Sequence, residues 1–193
     1  VVVFVRARDG SETWGAVTAE FNERTDGDIP TADYCDASGN DYSYEWIAGV
    51  QFGSFRKTSG AAGYSDFSAE KVEIGTGNTD FVLTPGFASS KYNEVWKIWI
   101  DLNNDGQFGE GEEMFSPSAT CSNVTGSFSI PANYAGTSTR MRIAMIYNQG
   151  TNACGSFNYG EVEDYTVVIG GDSGGLDSVF EHTEAQARHD QGS

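Results

Sequence analysis

Asp101, Asn103 and Asp105 stand at alternate positions in the stretch Trp99-Ile-Asp-Leu-Asn-Asn-Asp-Gly-Gln-Phe-Gly-Glu-Gly-Glu-Glu113. Gly106 follows them, and Glu112 arrives at the twelfth position counted from Asp101. Hard oxygen donors at this spacing can wrap one calcium ion, and the glycine permits the sharp turn between them. The expected ligands are the side chains of Asp101, Asn103, Asp105 and Glu112 with the backbone carbonyl of Gln107. Glu110 and Glu113 stand by as substitutes or outer partners, and Phe108 is expected to anchor the loop to the core. The competing reading is an acidic turn without metal. Five carboxylates from Asp101 to Glu113 with no base among them repel one another unless a cation intervenes, which favours calcium.

A second acidic group lies in Tyr159-Gly-Glu-Val-Glu-Asp-Tyr165. On a strand, Glu161 and Glu163 point one way while Val162 and Asp164 point the other. Such acids need partners, and the candidates are calcium or Arg140 and Arg142, two of only 11 basic residues. Asp66, in Tyr64-Ser-Asp-Phe67, either joins Glu161, Glu163 or Asp164 around a cation or is a polar turn residue. A catalytic pair formed by Glu161 and Glu163 is the sharper alternative, but nothing else in the chain resembles an active site. Tyr42, Tyr44 and Trp46 alternate and could stack on sugar rings from one strand face; packing in the core competes with that reading.

The elements that must position these groups read as strands. Val95 to Ile100 is rich in aromatic and β-branched residues and leads straight into Asp101, so the calcium loop sits on a β scaffold rather than between helices. Met141, Ile143, Met145 and Tyr147 share one face of a run from Arg140 to Tyr147. Val72 and Ile74, Phe81 and Leu83, Phe128 and Ile130, and Tyr165, Val167 and Ile169 repeat the period of two. Abundant glycine (24 residues) between these runs supplies turns, and the pattern predicts an all-β, antiparallel, jelly-roll-like sandwich.

Residues 1–24 predict two strands around Asp9-Gly10, 25–33 a polar linker, and 170–193 a flexible tail with one helical stretch from about Asp177. Val1 opens inside a β-rich pattern, so the chain reads as a piece of a larger precursor. With 193 residues it can hold one sizeable domain plus appendages. A net charge of -17 argues against nucleic acid and suits a calcium-loaded extracellular protein. No apolar run approaches the roughly 20 residues of a membrane helix. Zinc is disfavoured because Cys35, Cys121 and Cys154 form no CxxC pair and both histidines, His182 and His189, lie in the tail. In an oxidising compartment two of these cysteines would bond, and the residues alone allow three pairings. Gly171-Asp-Ser-Gly-Gly175 imitates a serine-protease nucleophile motif, yet no histidine precedes Ser173, and a linker is the better reading. Asn123-Val-Thr125 is a sequon that reads as a turn.

Several of these stretches together resemble a known family. Gly160-Glu-Val-Glu-Asp164 spells the signature of the bacterial GEVED domain. Tyr34-Cys35, Glu45-Trp-Ile47, Gly63-Tyr-Ser-Asp-Phe67, Leu83-Thr-Pro-Gly86, Trp99 to Gly106, Thr139-Arg-Met-Arg142 and Ala153-Cys-Gly155 agree with it in order, from about Tyr34 to Ile169. The resemblance implies a secreted bacterial β-sandwich module, appended to exported hydrolases, peptidases especially, or to surface proteins. It also implies a Cys35–Cys154 disulfide, with Cys121 as a departure. Separately, Val5-Arg-Ala-Arg-Asp-Gly10, Trp14-Gly15 and Phe21 resemble the last strands of a fibronectin type III domain. The functional expectation is a non-catalytic, calcium-stabilised spacer or adhesion module whose partners are neighbouring domains. The runner-up is a module that targets a hydrolase to polysaccharide or extracellular protein.

Overall fold

The computed structural model describes residues 4–8, 14–18, 32–116, 118–148, 150 and 152–170. The expected tail linker with Ser173, the helix near Asp177, both histidines and most of the 25–33 linker lie outside the described residues. Strands β1 (Phe4–Arg8) and β2 (Trp14–Thr18) pair antiparallel in a two-stranded sheet, with Phe4 opposite Thr18 and Arg8 opposite Trp14. That ladder is common to a hairpin and to the end of a preceding domain.

Ten further strands build two sheets. They are β3 (Ala37–Asp41), β4 (Glu45–Phe52), β5 (Phe55–Thr58), β6 (Tyr64–Ile74), β7 (Gly77–Phe87), β8 (Glu94–Ile100), β9 (Glu113–Phe115), β10 (Val124–Ile130), β11 (Ser138–Tyr147) and β12 (Gly155–Ile169). One sheet has four strands in the order β10-β7-β4-β5, all antiparallel. The other has six, in the order β3-β12-β11-β8-β9, with β6 also paired to β12. The expected sandwich is therefore present, with one difference: β3 and β6 run parallel to β12. Both flank its free edge, β3 along 155–159 and β6 along 162–169. Parallel partners cannot be joined by a tight turn. The chain between β3 and β6 instead crosses to the other sheet to make β4 and β5.

Period-two alternation explains the packing. Ile47, Val50, Phe52, Val72, Ile74, Phe81, Leu83, Phe128 and Ile130 meet Trp96, Ile98, Ile100, Met141, Ile143, Met145, Tyr165, Val167 and Ile169 in one core. A bulge between Ile47 and Gly49 keeps both Ile47 and Val50 inward on β4. The other face of the six-stranded sheet is covered too. Trp99, Ala144, Ile146 and Val162 there pack with Ala37 and Ala153, and with Phe108 from the loop after β8. Near this layer a disulfide joins Cys35 to Cys154, with Cα atoms 5.6 Å apart, while Cys121 is free. The pairing is the one the family resemblance implies.

Candidate functional site

β8 ends by delivering Asp101 into a buried position. Its backbone is fixed by an Asp101 N–H to Arg140 C=O bond and by the Thr139 hydroxyl, which donates to the Asp101 carbonyl. The following loop folds around its own acids. Asp101 accepts the Asp105 N–H on Oδ1 (3.1 Å), and the Gly106 N–H (2.9 Å) and Tyr34 hydroxyl (2.8 Å) on Oδ2. Asn103 Oδ1 accepts the Asp105 N–H, and Asp105 Oδ1 accepts the Gln107 N–H. Glu112, also buried, takes the Asn103 N–H on one oxygen (3.2 Å) and the Gly109 N–H on the other (2.6 Å). Asn104 at φ 58° and Gly106 at φ 81° supply the left-handed turns that such a coil needs. Burial, with the Asp101 hydrogen bond second, pushes the Tyr34 phenol up to about 12, so it stays a donor. Phe108 packs beside Tyr34 and Trp99 and lies under the Arg142 guanidinium, as an anchor should.

The donor set suits a hard cation. Asp101, Asp105 and Glu112 supply carboxylates, Asn103 an amide oxygen and Gln107 a carbonyl. A carboxylate has about four lone-pair directions. Asp105 and Glu112 use two each and Asp101 three, so acceptor capacity is left over. Among the described residues, no Lys or Arg forms an ion pair with these three acids. Nor do three or more Asp, Glu, His or Cys side chains there converge as a ready metal group.

The second acidic motif is divided between the two faces of β12. Asp164 faces outward and is clasped by Arg142, with Nε to Oδ1 at 2.7 Å and Nη2 to Oδ2 at 2.8 Å. Arg140 Nη1 and the Tyr64 hydroxyl reach the same Oδ2 at 3.2 and 3.1 Å. Of the two partners weighed for this residue, the arginines hold it. Arg142 also donates to the carbonyls of Cys35 and Ala153, tying both disulfide segments to the sheet. Asp66 lies opposite Asp164 in the β6–β12 register, but its Oδ1 takes the Ser68 N–H, and the Ser68 side chain first and this N–H second lower its pKa.

Glu161 and Glu163 face the gap between the sheets and are fully buried. Glu161 accepts the Ile47 N–H and the Ser65 hydroxyl; Glu163 accepts the Ser59 and Tyr165 hydroxyls. Burial pushes each up to about 7, against these hydrogen bonds, which pull the other way. Full burial leaves no surface on which a substrate could meet the pair.

Tyr42, Tyr44 and Trp46 do not form one strip. Asp41 Oδ1 accepts both the N–H and the hydroxyl of Ser43, a side-chain turn that ends β3 and breaks the alternation. Tyr42 and Tyr44 are exposed, whereas Trp46 lies against Gly86, where a Cβ would come within 2.5 Å of its ring. Tyr44 instead joins Tyr159, Tyr147 and Tyr92 in a chain of edge-to-face rings above Glu45. Sequence reasoning passed over Glu45, Tyr92 and Glu94. The available signal was parity: Glu94 continues inward-facing Trp96, Ile98 and Ile100, and Glu45 precedes inward-facing Ile47 by two.

Comparison with curated proteins finds no match, and neither does comparison with solved structures. The family model of the GEVED domain matches residues 95–168, from the second residue of β8 to the penultimate residue of β12. The match holds the loop, both arginines and the acidic signature, while β3 to β7 of the sandwich precede it. Over residues 95–168, less than half of the chain, the sequence is thus similar to the GEVED domain.

Proposed function

We propose that the chain supplies a non-catalytic, calcium-stabilised accessory module to a secreted bacterial protein. It acts as a rigid spacer or adhesion unit beside an exported hydrolase such as a peptidase. The observation that carries this reading is the loop from Asp101 to Glu112, where five oxygen-donor residues at calcium-loop spacing are held by β8, with two of their carboxylates buried. The ion would be held by Asp101, Asn103, Asp105, Glu112 and the Gln107 carbonyl, and would neutralise the loop's mutual repulsion. Asp164 and Asp66 have other partners, and Glu161 and Glu163 are satisfied by hydroxyls and a backbone N–H, so the proposal assigns one ion. Supporting the accessory role are the GEVED match, the inaccessibility of Glu161 and Glu163, and the Cys35–Cys154 bridge, which suits an oxidising exterior. No helix among the described residues is long and apolar enough to cross a membrane.

A second reading, a carbohydrate- or matrix-binding module, draws on the exposed Tyr42 and Tyr44. Thermal melting in calcium against chelator tests the first. Binding at ten times the dissociation constant adds about 1.4 kcal/mol, and extracellular sites have constants of about 10⁻⁴–10⁻³ M. A melting temperature that ignores calcium in wild type, or a shift that survives Asp101→Ala, sinks the assignment. Retention on insoluble polysaccharide or collagen, lost in Tyr42→Ala or Tyr44→Ala, would promote the second reading.

A further inference from the structure

At one end of the gap between the sheets, the inward-facing positions of four strands carry the wrong residues for a core. β8 places Glu94 before Trp96, β4 places Glu45 before Ile47, β11 places Tyr147 after Met145, and β12 places Tyr159 before Glu161. Glu94 and Tyr147 are direct partners across the β8–β11 ladder. The result is a cavity of about 330 Å³ lined by Tyr44, Glu45, Tyr92, Tyr147 and Tyr159. Its rings meet edge to face in succession: Tyr44 on Tyr159 at 6.0 Å, Tyr159 on Tyr147 at 6.3 Å, Tyr147 on Tyr92 at 5.6 Å. Tyr44, Tyr147 and Tyr159 keep 39–46% of their surface in solvent, so the mouth is open.

One acid, Glu45, lines this cavity, and a second, Glu94, is buried next to Glu45 without lining it. Glu94 is 0% exposed and neither carboxylate oxygen has a hydrogen-bond donor. Its backbone is pinned by paired bonds with Thr120, at 2.9 and 3.0 Å. Glu45 is 2% exposed and close enough that its charge raises the Glu94 pKa further, beyond the larger effect of burial, to about 8. A buried carboxylate without a counter-charge is costly, and an acid beside it adds to that cost, so Glu45 in the cavity wall favours an incoming cation. Lys97, the nearest cation along β8, is spent on Glu113 at 2.6 Å.

We propose that this cavity binds an alkylammonium group, its charge balanced by Glu45 and its methylenes or methyls packed on the tyrosine rings. Perpendicular aromatic walls around an acidic base are what a cation with an apolar skin selects. A calcium ion would need six to eight oxygens, more than the one lining carboxylate supplies. An anion would be repelled. Two sources carry the chemistry, a lysyl side chain of a polypeptide and a free quaternary amine. The proposal goes beyond the accessory-module reading and does not depend on calcium.

The test is calorimetric or NMR titration of the whole disulfide-intact chain, in calcium and in chelator. The probes are choline, a blocked lysyl tripeptide, and the neutral tert-butyl isostere of choline. Saturable binding of choline or of the lysyl peptide is expected, with the isostere at least about tenfold weaker. The tighter of the two amines identifies the source. Glu45→Gln should cut affinity about tenfold or more while leaving the fold intact or more stable, since it removes the lining carboxylate without changing its shape. Tyr159→Leu should weaken both amines. Equal binding of the isostere, no saturable binding of either amine, or unchanged affinity in Glu45→Gln overturns the proposal. Loss of binding in chelator alone would tie the site to the calcium loop and overturn its independence.

Discussion

Replacing Asp164 by asparagine keeps its shape and removes the one negative charge that two buried guanidiniums share. In the folded chain Arg142 grips Asp164 through two bonds of 2.7 and 2.8 Å, and Arg140 adds a third at 3.2 Å. Asp164 is fully buried, and the arginines nearly so. Breaking a buried pair on one side leaves an uncompensated charge and costs about 3–5 kcal/mol. With two arginines stranded, Asp164→Asn belongs at the upper end of that range. Arg142→Met strands Asp164 with Arg140 alone and also deprives the Cys35 and Ala153 carbonyls of their donor, at about 1–3 kcal/mol for each group left unsatisfied. The double variant, with Asp164→Leu and Arg142→Met, removes both halves of the pair. Its cost should fall at least about 2 kcal/mol below the sum of the single costs. Urea unfolding at neutral pH with the disulfide intact reads this out. With a slope of about 2 kcal/mol/M, the Asp164→Asn midpoint drops by about 1.5–2.5 M. A cost under about 1 kcal/mol for Asp164→Asn, or simple additivity in the double variant, would refute the reasoning that this cluster fastens the outer layer.

Acidification should stabilise the apo chain. Glu161 and Glu163 are pushed up from 4.5 to about 7 by burial, so between those values the folded state holds protons that the unfolded state has released. Stability therefore falls as pH rises through that window, by at most about 2.7 kcal/mol per unit for two protons. Melting in chelator from pH 4.5 to 7 should show the fall, and Glu161→Gln with Glu163→Gln should flatten it; a wild-type slope retained in that variant contradicts the assignment. Glu94, at about 8, extends the same trend upward. Removing the Cys35–Cys154 bridge, whose partners are 119 residues apart, costs about 4.9 kcal/mol on the chain-entropy account. Replacing Cys121 by serine should change little, and a Cys35→Ala/Cys154→Ala variant that melts with wild type would count against the bridge as a major constraint.

Local periodicity carried the strands well. Val95 to Ile100 and Met141 to Met145 state their inward faces in their own letters, and both faces meet in the core. Glu161 and Glu163 were legible as sharing a face for the same reason. What local pattern misses is contact between distant segments. Nothing in Ala37–Asp41 or Tyr64–Ile74 announces that both lie parallel to β12, because that register joins residues about a hundred positions apart. The Asp41 turn hid inside an apparent run of alternating aromatics, where one side-chain acceptor outweighs β propensity. Glu94 and Glu45 escaped because an acid at an inward position looks like a strand terminus until the opposite strands supply the tyrosines. Cys35 and Cys154 came through family resemblance; their own neighbours leave the choice among three cysteines open.

The parallel edges of β12 have a consequence for how the chain reaches its fold. Gly155 pairs with Ala37 and Val162 with Tyr64, so the final strand closes ladders opened near the start of the sandwich. Until that strand exists, β3 and β6 have no partner in their own sheet and β11 has one free edge. Non-local pairing of this kind makes folding slow, since loop closure must precede its reward. The sandwich is a structure that waits for its last fifteen residues: a chain cut before Gly155 lacks the inner glutamates altogether and leaves Arg140 and Arg142 without the Asp164 carboxylate they share.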